Sequence, residues 1–232
     1  MAKIKMGHIV AEIRGKIGGT VFSRNTYGAY IRAKVTPTNP GTVDQQTVRQ
    51  FMASIAQAWR GLTAAQRLGF NLAAETWTNT NIFGDSQALT GFNLFMKLNR
   101  NRLEINEVQI TAAPTPAAVT GFSALAIVSD EGTPDKLELT FAPAIGATQK
   151  VIVYATAQLS AGIDFVKSEY RKIDVLTTAD ASPFNVGAEY KVKFGALPTV
   201  GSKVFIKLVP VVILTGQAGA AITASTISLD TP

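Results

Sequence analysis

The sequence predicts a two-part α+β protein: an N-terminal extended arm with a β-hairpin and three short helices, then an all-β sandwich. Three observations carry this reading. Charge is unevenly divided: residues 1–103 hold 13 Lys+Arg against 4 Asp+Glu, net +9, and residues 104–232 hold 9 against 12, net −3. Apolar residues recur at helical spacing between residues 43 and 103, and with period two after residue 116. The first 42 residues carry six glycines, at 7, 15, 18, 19, 28 and 41, and prolines at 37 and 40. That composition suits an extended segment better than a packed one.

Residues 1–42 therefore form the expected arm. Within it Thr20–Lys34 has strand character. Val21, Phe22, Tyr30 and Ile31 flank the polar stretch Arg24–Gly28, which predicts a hairpin with its turn near Asn25–Gly28. Val35–Gly41 is too proline-rich for helix and reads as an extended linker.

Residues 43–108 form the expected helical unit. Thr42 and Gln45 have the spacing of a capping box, and Val48, Phe51, Met52, Ile55 and Trp59 then mark one apolar face, with Gly61 as the stop. Thr63 and Gln66 repeat the box ahead of a second helix through Leu68, Leu72 and Ala73 towards Trp77. Residues 78–89 read as a polar loop. Thr90 caps a third helix whose face is Phe92, Phe95, Met96, Asn99 and Leu103. Both tryptophans are expected in the core.

The texture changes between Leu103 and Pro116, so residues 112–232 are expected to be the β unit. Leu137, Leu139 and Phe141 alternate with polar residues, as do Tyr190, Val192 and Phe194, and Val204, Ile206 and Leu208. Further strands are expected in 122–128, 151–156, 170–176 and 221–229. Seven short alternating strands at this spacing predict an immunoglobulin-like or fibronectin-type sandwich, with a small closed barrel as the alternative.

Composition narrows the chemistry. Hydrophobic residues make up 47% of the 232 positions and charged residues 16%, which is globular rather than disordered. The absence of cysteine removes disulfides, thiolate metal sites and a cysteine nucleophile. The apolar run 204–214 contains Lys207 and Pro210 and falls short of the roughly 18 residues of a membrane helix. Glu12 and Arg14 interrupt the apolar residues after Lys3 and Lys5, so no signal peptide and no membrane partner are expected.

No catalytic, cofactor-binding or metal site is expected. His8 is the only histidine and lies in the arm. Gly15–Thr20 fails both phosphate-loop patterns, because Lys16 precedes the glycine pair. Asp130, Glu131 and Asp135 form an acidic turn without the spacing of a dedicated calcium loop.

The arm is where chemistry concentrates. Phe22, Arg24, Tyr27, Tyr30, Ile31 and Arg32 are the expected subunit-interface residues, since Tyr and Arg are enriched in interface cores. Lys3, Lys5, Arg14, Lys16 and Lys34 are the residues a nucleic-acid partner would use, basic side chains beside aromatic ones being suited to tracking a phosphate backbone.

The segment Gly18–Arg32 (GGTVFSRNTYGAYIR) resembles an uncharacterised family from structural-gene modules of tailed bacteriophages and prophages. Pro37–Pro40, Gln45–Gln46, Arg49, Trp59–Arg60, Leu62–Thr63, Gln66–Arg67, Thr90–Phe95 and Asn99–Leu103 continue the pattern in order, so that it spans residues 15–105. Phe70 stands where that pattern leads one to expect tryptophan. The resemblance implies a non-enzymatic virion structural protein of head, neck or tail. It would be made in the host cytoplasm and contact other virion proteins and further copies of itself. Nucleic-acid binding by the basic half is the alternative, and a surface adhesin or carbohydrate-binding module a second.

Overall fold

The computed structural model describes residues 2–3, 12–80, 85–130 and 136–229. It is a β-rich mixture of helices and antiparallel sheets. The chain begins with a small sheet in the order β1-β4-β3-β2, built from β1 (Ala2–Lys3), β2 (Gly15–Ile17), β3 (Thr20–Asn25) and β4 (Gly28–Ala33). β3 and β4 form a hairpin closed between Asn25 and Gly28. The Asn25 side chain accepts from the Tyr27 backbone N–H at 3.0 Å, and Gly28 takes φ +110°, which a side chain would resist.

Helices α1 (Val43–Gly61) and α2 (Ala64–Ala74) follow. Thr63 and Gln66 cap α2 reciprocally. Thr42 caps α1 one-sidedly: its hydroxyl accepts from the Gln45 backbone at 3.4 Å, while the Gln46 side chain donates to the Gly41 carbonyl at 2.9 Å. The polar loop expected over residues 78–89 instead holds a short hairpin, β5 (Thr78–Thr80) with β6 (Ser86–Ala88). Polar side chains do not prevent strand pairing where the backbone groups satisfy one another. Helix α3 (Gly91–Glu104) is capped by the Thr90 hydroxyl, which accepts from the Asn93 N–H at 3.2 Å.

The helical core is aromatic. Trp59 meets the rings of Phe70, Phe92 and Phe95 at 6.0, 5.6 and 5.3 Å. Only part of the expected apolar faces enters it. In α1 Ile55 is buried, but Val48 and Met52 stay 48% and 43% exposed. In α2 the inward residues are Phe70 and Ala74, and the Leu68 and Leu72 expected in the core point outward. A helix has room for one packed face, and the larger aromatic side took it.

The second half contains β7 (Ala124–Asp130), β8 (Lys136–Ala142), β9 (Gln149–Ala155), β10 (Leu159–Ser160), β11 (Arg171–Leu176), β12 (Phe184–Asn185), α4 (Gly187–Phe194), β13 (Ser202–Val212) and β14 (Ile222–Ile227). One sheet is β7-β8-β12. The other is centred on β13, which pairs with β9, β10 and β14, and β9 in turn pairs with β11. Leu137, Leu139 and Phe141 of the first sheet share one buried core with Val151, Val153, Val204, Ile206 and Leu208 of the second.

The strand expected through Tyr190, Val192 and Phe194 is instead helix α4. Its alternation was ambiguous. Tyr190 and Phe194, four apart, also share one face of a helix, and their rings lie 4.6 Å apart. Val192, which a strand would place beside them, is 89% exposed. The Asn185 carboxamide oxygen fixes the turn into α4 by accepting from the backbone N–H groups of Leu137 and Gly187.

The two halves are joined through α3. Ile105, just past its end, is buried with Ile152 of β9 and Val211 of β13. The Asn101 side chain donates to the Gly216 carbonyl at 2.9 Å, and Arg102 donates to the carbonyls of Val108 and Ile213. Gly216 is required here: a Cβ would lie 2.3 Å from the Leu98 carbonyl oxygen. Asn99, fully buried, exchanges two hydrogen bonds with the Ile110 backbone and ties the connecting segment to the helix. These contacts cross the boundary expected between Leu103 and Pro116.

Candidate subunit interface

The register of the N-terminal sheet sorts its side chains. Residues directly opposite in an antiparallel pair share a face. Phe22 pairs with Ile31, Arg24 with Ala29, Thr20 with Ala33 and Ile17 with Thr20. That face is apolar, with Arg24 at its tip. Val21 pairs with both Lys16 and Arg32, and Ser23 with Tyr30, so the opposite face carries Lys16, Arg32 and Tyr30. The six residues expected at an interface are thus split: Phe22, Ile31 and Arg24 on one face, Tyr30 and Arg32 on the other, and Tyr27 in the turn.

No residue from 12 to 42 is buried. Phe22, Tyr27, Tyr30 and Ile31 are half-buried, and Ile17 is 69% exposed. A packed sheet normally hides one face, and small isolated sheets of this kind are marginal in water.

The sheet touches the helical unit at its tip. The Tyr27 hydroxyl accepts from the Asn93 carboxamide of α3 at 3.2 Å. Tyr27 forms one wall of a cleft of about 430 Å³, which Met52, Leu89, Asn93 and Met96 also line. The sequence placed Met96 on the apolar face of the third helix but gave no sign that Asn93, Leu89 and Met96 stand beside Tyr27; Asn93 and its partner are 66 residues apart and leave no local spacing to read.

Of the described residues assigned to a nucleic-acid partner, Lys16 shares the face of Tyr30 and Arg32 by register. Arg14 is held by Glu12 at 2.7 Å, and Arg24 lies 3.6 Å from the same carboxylate. Lys16 sits on the edge strand β2, and Lys3 pairs with Tyr30 in register. The Lys34 backbone N–H donates to the Gly19 carbonyl at 2.7 Å, just beyond the sheet. Lys5 and His8 lie outside the described residues, as do Glu131 and Asp135 of the acidic turn.

A second polar region lies at the α3–sheet junction. Glu104 accepts from Arg100 at 2.9 Å and from the Tyr154 hydroxyl at 3.0 Å, and its backbone carbonyl accepts from the Lys172 ammonium. Burial, reinforced by Glu104, raises the Tyr154 hydroxyl above the usual tyrosine range, and burial lowers the Lys172 ammonium. The Lys207 ammonium stands 4.7 Å from the Tyr154 ring and 4.5 Å from that of Tyr170. Glu107 accepts from the Lys150 ammonium at 2.7 Å, and that hydrogen bond holds its carboxyl below the usual range. The bonds of Tyr154 and Lys172 to Glu104 and of Lys150 to Glu107 join the two halves, whereas Arg100–Glu104 lies within α3 and Lys207 with its two tyrosines lies within the second half. Among the described residues no group of three or more His, Asp or Glu side chains could hold a metal, and no helix is long and apolar enough to cross a membrane.

No protein-family model, no curated protein and no solved structure matches the chain.

Proposed function

We propose that this chain is a non-enzymatic structural protein of a tailed-phage virion, anchored to neighbouring subunits through its N-terminal sheet and projecting its β half outward. The observation that carries the reading is the N-terminal sheet: it pairs its backbone in register yet buries none of its described side chains between residues 12 and 42. Ordering such a segment costs about 1–2 kcal/mol per residue in backbone entropy. Covering a large side chain such as Phe22 or Ile31 returns about 1.5–3 kcal/mol, and a rigid neighbouring subunit supplies the cover. Arg24, Tyr30 and Arg32 are placed to fix the register by bonding carboxylates or carbonyls of that neighbour.

The projecting half is read as an immunoglobulin-like, fibronectin-type sandwich. Supporting this, a three-stranded sheet (β7-β8-β12) and a larger sheet around β13 share one core, and the segment just past β14 meets β7 at an Asp130–Leu229 bridge. Nucleic-acid binding is the second reading, favoured by the Lys16–Arg32–Tyr30 face. A salt-dependent association with duplex DNA, abolished by Lys16→Glu with Arg32→Glu, would support it.

Mass spectrometry of purified particles tests the first reading directly. The chain should be present at stoichiometric copy number. Deletion of residues 1–34 should abolish incorporation while circular dichroism still reports a folded β half. A truncated protein incorporated at full occupancy would overturn the role assigned to the sheet.

A further inference from the structure

We infer that the cavity between α3 and the outer face of the β9–β13 pair binds a small organic anion, a carboxylate carried on an apolar body. The inference stands apart from the virion reading and does not rest on it. The cavity holds about 370 Å³. Register builds its floor: Lys207 stands opposite Tyr154, and Val209 opposite Ile152. These side chains share the face of the sheet that points away from the core common to both sheets. Arg100, Asn101 and Glu104 of α3 add a wall, and Lys167, Ser168 and Tyr170, just ahead of β11, add to the lining. A ligand there touches both halves of the chain, and junctions between packed units are where small molecules commonly bind.

Two properties define the ligand. The first is charge. Arg100, Lys167 and Lys207 line the cavity against one carboxylate, Glu104, which already accepts from Arg100 and the Tyr154 hydroxyl. Among the described residues, neither the Lys167 nor the Lys207 ammonium has a carboxylate partner, and the Ser168 and Tyr170 hydroxyls bond no protein group. Burial raises the Tyr170 hydroxyl above its ordinary range, so it keeps its proton and donates. All four unused groups can donate, so the complementary ligand is one that accepts. Glu169 is exposed and does not line the cavity.

The second property is the floor. Val209 and the rings of Tyr154 and Tyr170 are half-buried and offer apolar surface that a bare inorganic ion would leave in water. Behind them Ile105, Ile152 and Val211 are buried and hold that surface rigid. Lys207 is also set in advance. Its ammonium lies within cation–π range of both rings, so binding need not order a free lysine side chain.

The test uses the full chain and three probes at fixed ionic strength. Benzoate has the charge and the body, benzamide the body alone, and inorganic phosphate the charge alone. Binding is read as saturable shifts of backbone amide resonances and as a rise in melting temperature. Benzoate should saturate in the millimolar range or below, moving amides near residues 100–104, 167–170 and 207–209. Benzamide and phosphate should each bind about tenfold more weakly. Lys207→Met should weaken benzoate about tenfold, as expected for one charge-assisted hydrogen bond. Lys207 lies within the sheet, so Lys167→Ala with Tyr170→Phe, which alters an exposed position and keeps the ring, provides a second variant. It should weaken benzoate by a similar factor. The assignment is overturned if benzoate gives no saturable change up to about 20 mM, weaker than a ligand of its size should bind. It is equally overturned if benzamide or phosphate matches benzoate, or if a folded double variant binds it as the unaltered chain does.

Discussion

The N-terminal sheet and the paired sheets of the second half are both antiparallel, the second with a register shift between Lys172 and Asp174, yet they differ in what lies behind them. In β8, Leu137, Leu139 and Phe141 face a second sheet and are at most 4% exposed. In β3 and β4, Phe22 and Ile31 pair just as regularly and stay half-buried. Strand pairing follows from local sequence, whereas burial needs a second layer. The second half supplies that layer itself, whereas among the described residues of the N-terminal sheet none is buried.

The comparison breaks most sharply under core truncation. Leu139→Ala should cost about 2–5 kcal/mol, read as a lowered melting temperature and urea midpoint. Phe22→Ala with Ile31→Ala should move the same measurements of the free protein by only about 0.5 kcal/mol, while blocking incorporation into particles. A large stability loss from the second pair would mean that the sheet is part of the subunit's own core.

The junction between halves comes next. Arg102→Ala leaves the carbonyls of Val108 and Ile213 without their donor, at about 1–3 kcal/mol, and should speed proteolysis between residues 106 and 116. An unchanged cleavage rate would show that the remaining junction contacts, Ile105 packing and the Asn101, Lys150, Tyr154 and Lys172 bonds, hold the halves without Arg102. Thr63→Ala removes one half of the reciprocal cap of α2 and should cost about 1 kcal/mol in a denaturant melt, without affecting the β half.

The smallest effect is electrostatic. The Glu107 carboxyl is held below its ordinary range in the folded chain by Lys150, so the folded state binds that proton less readily than the unfolded state. Its contribution is present above the ordinary carboxylate range and is lost as pH falls through the folded value. Both partners are partly exposed, so Glu107→Gln should lower stability by no more than about 1 kcal/mol near neutral pH. Wild type and variant should converge in acid melts. A gap that widened in acid would reverse the sign.

Short-range signals were legible where they depended on neighbours in the chain. Thr63 with Gln66 and Thr90 announced two helix starts, and Asn25–Gly28 announced the hairpin turn, because caps and turns bond groups within about four residues. Alternation over 136–142 and 204–208 identified strands that bury one face. It misled at Tyr190–Phe194, where spacings of two and of four pick out the same two aromatic residues and only the exposure of Val192 distinguishes them.

The sequence by itself therefore determined the three N-terminal helices, the β3–β4 hairpin and most strands of the second half, though not β5–β6 or α4, and with them the mixture of helix and sheet and the concentration of basic and aromatic residues in the first 34 positions. Tertiary structure alone decided which of those residues act together. The register divided Phe22 and Ile31 from Tyr30 and Arg32, and α3 brought Asn93 to Tyr27 and Arg102 to Ile213. The physical reason is range: hydrogen bonds and periodic burial within one element are written into adjacent residues, while contacts across 66 or 111 positions depend on how whole layers settle against one another.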